Sequence, residues 1–406
     1  MAHTCRACAS PTECFIDFGR MPLANGFLTP DQFADEYFFD LQAGYCPHCT
    51  LVQLIEQPNR ERMFNERYPF FSASSSRMSA HFSAIARDLL ARHLATPDPL
   101  VVEIGSNDGT LLRHFAEAGI RHIGFEPSAS VAAAASARSV NTLRRFFDAD
   151  LAGQVVAAHG PADAVIAANA LSHVADLHSV VAGIRTLLAP AGIAVIEDPY
   201  WAEVVEQTAF DQIYDEHASY FTLTSVTALF AQHDLEVIDV VPQPVHGGSL
   251  RYLIAPAGQR PSAGRVADLL ARERASGLHL PATFAAFRDR VTANGEQLVA
   301  RLQDLRRRRQ RVVGYGATSK STTVINRFGI TSDLVEFISD TTPAKHGTFT
   351  PGAHIPVRSH AEFAAAYPDW ALLFLWNHAA EVRAKEPAFT AAGGRWLGYV
   401  PAVRDF

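Results

Sequence analysis

The densest chemistry in this sequence lies in Tyr214-Asp215-Glu216-His217, where a phenol, two carboxylates and an imidazole occupy four consecutive positions. A histidine of near-neutral pKa beside a carboxylate can take a proton from a carbon next to a carbonyl. A tyrosine hydroxyl nearby can stabilise the enolate oxygen that results. The competing reading is a polar helix start with no chemistry, and seventeen histidines in the chain keep that alternative open. Further on, His246-Gly247-Gly248-Ser249-Leu250-Arg251 offers glycines suited to close approach of a ligand. Asn169 and His173, in Ala-Asn-Ala-Leu-Ser-His, follow an apolar strand and are placed to face a methyl donor. Tyr68-Pro-Phe-Phe-Ser-Ala-Ser-Ser is a Ser-rich turn whose chemistry is not readable from its residues.

All five cysteines precede residue 50. Cys5-Arg-Ala-Cys8 and Cys46-Pro-His-Cys49 form two CxxC knuckles, each offering two sulfurs on a tight turn, with Cys14 left over. Two such knuckles complete a closed tetrahedral zinc site, expected to be structural because it keeps no open position for substrate. Disulfides or redox-active CxxC pairs are the alternative; a reducing cytoplasmic compartment favours zinc.

Strands and helices must carry these groups to one place. Leu100-Val-Val-Glu-Ile-Gly105 reads as a buried strand running into Glu103-Ile-Gly105-Ser-Asn107-Asp-Gly109 and a helix. The glycines admit a ligand to the backbone, and the helix N-terminus offers unpaired N–H groups. Glu126 ends the next strand, where a carboxylate can grip two ribose hydroxyls. The spacing E-x-G-x-x-x-G lacks the G-x-G-x-x-G pyrophosphate cradle, which favours S-adenosylmethionine over NAD. Strands at 164–168 and 193–197, helices at 74–94 and 177–189, and two late strands at 235–241 and 250–254 extend a doubly wound sheet. Polar, Pro- and Gly-containing residues 256–262 suggest a linker, followed by helices at 264–275 and 283–309. A second strand-turn-helix, Gly314-Tyr315-Gly316-Ala-Thr-Ser319-Lys320, then precedes strands at 334–339 and 371–376. On pattern alone its loop is as readily a plain turn as a phosphate cradle, and NAD binding there stays open.

The chain has 406 residues and a net charge of −7, with no basic face for nucleic acid or anionic membrane. The Arg306–Arg309 run reads as a solvated helix face. No apolar run is long enough to span a membrane, and the N-terminus lacks a secretory pattern, so a cytoplasmic monomer is expected. Lysine is rare, at 320, 345 and 385 only.

The ordered set of segments resembles the S-adenosylmethionine-dependent C-methyltransferases of nucleotide-deoxysugar biosynthesis over essentially the whole chain. The resemblance rests on Cys5/Cys8/Cys46/Cys49, Tyr68-Pro-Phe-Phe-Ser, Glu103 to Gly109, Tyr214 to His217, His246 to Arg251 and Gly314 to Lys320. It implies an α/β chain of three units: a zinc module (1–60), a Rossmann-like methyltransferase domain (61–260) and a second Rossmann-like α/β domain (261–406). It further implies a dTDP-linked 4-ketohexose deprotonated beside the ketone, usually at C-3, by His217. Tyr214 and Glu216 would orient that base or stabilise charge, and Tyr68 would complete the pocket. Glu103, Gly105, Asn107, Gly109, Glu126 and Asn169 would bind the donor. His173, His246, Arg251, Tyr315 and Lys320 would bind the sugar nucleotide. Phe70 departs from the second tyrosine of many relatives and removes a hydroxyl near the sugar. An O- or N-methyltransferase, a C-5 methyltransferase or an NAD-dependent oxidoreductase would be the alternatives.

Overall fold

The computed structural model describes residues 3–64 and 72–406; Tyr68 and Phe70 lie outside the described residues. The central sheet has seven strands, in the order Leu235–Gln243, Ser249–Pro256, Leu188–Pro199, Ala162–Ala168, Leu100–Ile104, Arg121–Phe125, Thr142–Leu143. The last five run parallel and the first two are antiparallel. Their near-continuous apolar runs follow from burial on both faces. Val101, Ile166 and Val195 pack toward Phe82, Ile85 and Leu89 of the helix Ser76–Arg92. Val102, Val165 and Ile196 face Leu151, Val155, Val180 and Ile184 of two helices on the other side. Ser75 caps the first of these helices by accepting the Met78 N–H.

The C-terminal sheet has six strands, ordered Val357–Ser359, Ile338–Asp340, Val312–Tyr315, Trp370–Leu373, Arg395–Gly398, Arg404–Asp405, the first five parallel. The strand expected at 334–339 is reduced to its end, because residues 331–335 close a turn in which Thr331 O accepts the N–H groups of Leu334 and Val335. The helix Gly264–Ala275, expected to open the third domain, packs on the central one instead. Val266 and Leu269 join that core, and the buried Glu273 carboxylate accepts the Tyr200 hydroxyl and the Leu223 and Thr224 N–H groups. The 27-residue helix Pro281–Arg307 then spans the molecule: Phe284 stacks on Tyr45 at 3.8 Å, and Leu298 and Leu302 sit in the core with Val312 and Ile338. Arg306 to Arg309 face solvent at its end. Among the described residues no helix is long and apolar enough to cross a membrane.

The N-terminal unit is an antiparallel sheet, His3–Thr4, Pro11–Pro22, Phe38–Tyr45, Val52–Leu54, whose fifth strand, Ser219–Tyr220, comes from the central domain. The strand that follows His217 is therefore part of the cysteine module's sheet. Arg6, inside the first knuckle, also donates to the Ala218 carbonyl at 2.6 Å.

Candidate active site

The two knuckles fold alike. The second residue after each knuckle's midpoint pair, Ala9 and Thr50, has a left-handed backbone and returns its N–H to the Cys5 and Cys46 carbonyls respectively. The Sγ atoms of Cys5, Cys8, Cys46 and Cys49 all lie within 4.8 Å of one another. A tetrahedral zinc with bonds near ~2.3 Å places sulfurs about 3.8 Å apart, so the four thiolates fit that ion. Cys14 is exposed and apart from them.

A cavity of about 560 Å³ opens where the three units meet. Glu103, Gly105, Asn107, Glu126 and Asn169 line one side of it. Gly105 has φ +72°, and a Cβ there would lie 2.8 Å from the Ala170 Cβ, so only glycine lets the backbone pass. Burial, with Asp108 and Glu126 nearby, pushes the Glu103 carboxyl well above the usual range. Glu103 Oε2 and Asn169 Oδ1 are buried without hydrogen-bond partners in the protein. Buried polar atoms are rarely left so, and these two offer acceptors to a ligand in the cavity. The strand end holds Asn169 through its N–H to the Glu197 carbonyl.

Gln212, Tyr214, Glu216, His217, His173 and His246 form the middle of the cavity. The His217 Nδ1 lies 2.9 Å from the Gln212 carbonyl and its Nε2 lies 2.8 Å from the Tyr214 hydroxyl. A carbonyl only accepts, so Nδ1 carries the proton and the Nε2 lone pair accepts from Tyr214. Burial, then the proximity of His173, holds the His217 imidazolium pKa well below its ordinary value. Burial likewise takes His173 down to about 4 and, with Lys320 nearby, His246 down to about 3. Three neutral imidazoles thus share one wall. Asn25 of the cysteine module donates to Glu216 Oε1 at 2.6 Å.

The far side is C-terminal. Thr318, Ser319 and Lys320 open the helix Ser319–Arg327, with Thr318 as its cap. Lys320 Nζ is buried, has no hydrogen-bond partner, and lies 4.9 Å from the Trp376 ring centre. Lys345 lines the same side and donates to the Ala317 carbonyl at 2.6 Å. Asp340, at the strand end where a ribose-gripping acid would sit, spends both oxygens on the Ala317 and Thr342 N–H groups.

Three expected ligand residues do not reach the cavity. Arg251 donates to Glu197 Oε2 at 2.8 Å, in a buried cluster with His81. Tyr315 shares the inward face of its strand with Val313, and its hydroxyl donates to Glu386 among Phe363, Phe389 and Trp396. Gly109 serves the turn: φ is +75°, and a Cβ would strike Val140 at 2.8 Å. Asn25 and Lys345 were not anticipated, and Ser319 was read only as part of the Gly314–Lys320 loop. For Lys345 a signal existed, since two of the chain's three lysines line this one cavity.

Residues 5–64 match a zinc binding domain, residues 78–240 a methyltransferase domain, and residues 244–401 a C-methyltransferase C-terminal domain. The chain is 34% identical to the C-methyltransferase NovU of Streptomyces niveus, over 98% of this chain and 96% of that protein. It is also similar to a solved S-adenosylmethionine-dependent methyltransferase from Geobacter sulfurreducens in complex with S-adenosyl-L-homocysteine, at 16% identity and a TM-score of 0.36 over 49% of this chain and 99% of that one. Magnesium protoporphyrin IX methyltransferase from Synechocystis gives 14% identity and a TM-score of 0.34 over 44% and 79%.

Proposed function

The chain belongs to the S-adenosylmethionine-dependent C-methyltransferase family, and from that premise we propose that it methylates C-3 of a dTDP-linked 4-keto-deoxyhexose in deoxysugar biosynthesis. One observation carries the reading: a single cavity joins the Glu103–Glu126 donor wall, the Tyr214–His217 pair and the Lys320 wall. S-adenosylmethionine supplies a methyl group already activated on a sulfonium. What this chain must provide is a carbanion, and its alignment.

His217 Nε2 takes the proton from the carbon beside the ketone, while Nδ1 stays bonded to the Gln212 carbonyl and fixes the ring. As Nε2 becomes protonated it ceases to accept from Tyr214, whose hydroxyl turns to the ketone oxygen and stabilises the enolate. Glu216, held by Asn25, adds to burial in keeping the Tyr214 hydroxyl protonated. His173 and His246, both neutral, bound the sugar without a fixed charge. Lys320 and the start of the helix Ser319–Arg327 meet the diphosphate. The match is local, since the chain is anionic overall. Four reduced thiolates suit a cytoplasmic setting.

The test is incubation with a panel of dTDP-4-ketohexoses and methyl-labelled donor, with carbon-13 NMR locating the new methyl group. A signal on carbon at C-3 is expected. A methyl on oxygen or nitrogen, or at C-5, overturns the assignment in favour of that alternative. Without donor, the C-3 proton should exchange with deuterated solvent, and an O-methyltransferase would leave it in place.

A further inference from the structure

Asn25 belongs to the loop after the strand Pro11–Pro22 of the cysteine module, yet its carboxamide stands between two walls of the cavity. Its Nδ2 donates to Glu216 Oε1 at 2.6 Å and to Ser319 Oγ at 2.8 Å. Two N–H bonds from one nitrogen exhaust that donor. A carboxylate can only accept, which fixes the orientation of the amide. Because Ser319 Oγ accepts from Asn25, its own hydrogen is directed elsewhere, and Ser319 lines the cavity at the first residue of its helix. The loop is fastened on both sides of this bridge. The Ala24 N–H donates to Asp215 Oδ1 at 2.9 Å, and the Ala24 carbonyl accepts from Thr322 Oγ1 at 2.9 Å. Glu216 and Ser319 come from different domains and have no direct bond; Asn25 makes the connection.

We infer that Asn25 is a positioning residue that couples nucleotide diphosphate binding at Ser319 to the setting of the carboxylate of Glu216, the residue that precedes His217 in the chain. The inference rests on the reading of the C-terminal wall as a diphosphate site. When a phosphate oxygen takes the Ser319 hydroxyl hydrogen, Ser319 Oγ becomes a stronger acceptor for Asn25. Sugar and nucleotide ends of the cavity are thereby registered to one another through a residue of the cysteine module. Such coupling is reciprocal, so changes at Glu216 must also be felt in nucleotide binding.

The experiment is a double-mutant cycle read by calorimetric binding of dTDP to the zinc-loaded full chain, which needs no turnover. Glu216→Gln should weaken dTDP binding about fivefold or more in the wild-type background, and by less than about twofold with Asn25→Ala already present. Asn25→Asp, which sets a second carboxylate against Glu216, should bind dTDP more weakly than Asn25→Ala; a mere spacer would make the two equal. In turnover, Asn25→Ala should lower kcat with the KM for S-adenosylmethionine unchanged. Zinc content and thermal midpoint control for folding. Additive effects with intact wild-type dTDP binding overturn the coupling alone. A wild-type chain that does not bind dTDP overturns the diphosphate reading on which it rests.

Discussion

His217 can act as a base only while its imidazole is neutral, and burial arranges that by holding its pKa well below 6.5. Protonation is what abolishes activity, so kcat/KM should be flat through neutrality and fall as pH drops through that lowered value. A profile with its acid limb at or above pH 6.5 would exclude His217 as the base. His217→Asn can still donate an N–H to the Gln212 carbonyl but has no basic nitrogen. Methyl transfer should fall by about 10²–10⁴, with S-adenosylmethionine affinity by calorimetry within about twofold, because the donor wall is built from other strands. Tyr214→Phe leaves the tautomer in place, since Gln212 alone sets it, and removes the enolate donor. A loss of about 10²–10³ in kcat is expected, with C-3 proton exchange slowed in parallel.

At the scale of elements, Glu197 sits wholly buried at the end of the central strand Leu188–Pro199 and binds His81 at 2.5 Å and Arg251 at 2.8 Å. It thereby joins the helix Ser76–Arg92, whose Met78 and Phe82 line the cavity, to the strand Ser249–Pro256. Glu197→Gln leaves the largely enclosed Arg251 guanidinium short of its counter-charge, a defect worth about 3–5 kcal/mol. The thermal midpoint should drop, and S-adenosylhomocysteine should recover part of it while binding more weakly. An unchanged midpoint would show the cluster to be dispensable. Arg251 also marks where sequence reading reaches its limit. A cation beside a Gly-Gly turn looks the same whether its partner is a phosphate or an internal carboxylate, and Glu197 is 54 residues away. Tyr315 failed for another reason, strand parity: alternate side chains face opposite sides, and Tyr315 shares its side with buried Val313. The cavity wall at Glu103, Gly105 and Glu126 was legible because a strand, a glycine turn and an acid on the next strand are local signals with fixed spacing. Asn25 was not, because its partners stand 191 and 294 residues along the chain.

For the whole molecule, a closed four-sulfur site suggests a module with a purely structural role, and the structure draws that module up to the cavity. The strand Ser219–Tyr220 pairs with Val52 and Gln53, two residues beyond His217. Arg6, between Cys5 and Cys8, grips the Ala218 carbonyl, and Asn25 holds Glu216. Structural zinc contributes on the order of 10 kcal/mol in zinc-finger peptides, so an ion held by the four thiolates would secure the sheet that carries the Tyr214–His217 segment. The Glu103–Glu126 wall, in contrast, belongs to the central sheet and its own core. Removal of zinc by a chelator, or Cys46→Ser, should therefore separate two properties. Methyl transfer should be lost and the thermal midpoint lowered, while S-adenosylmethionine still binds with nearly its original affinity. Metal analysis, calorimetry and the labelled-methyl assay on the same sample would show this. Loss of donor binding in step with zinc would mean that the module supports the entire central domain, whereas full activity without zinc would detach it from the site altogether.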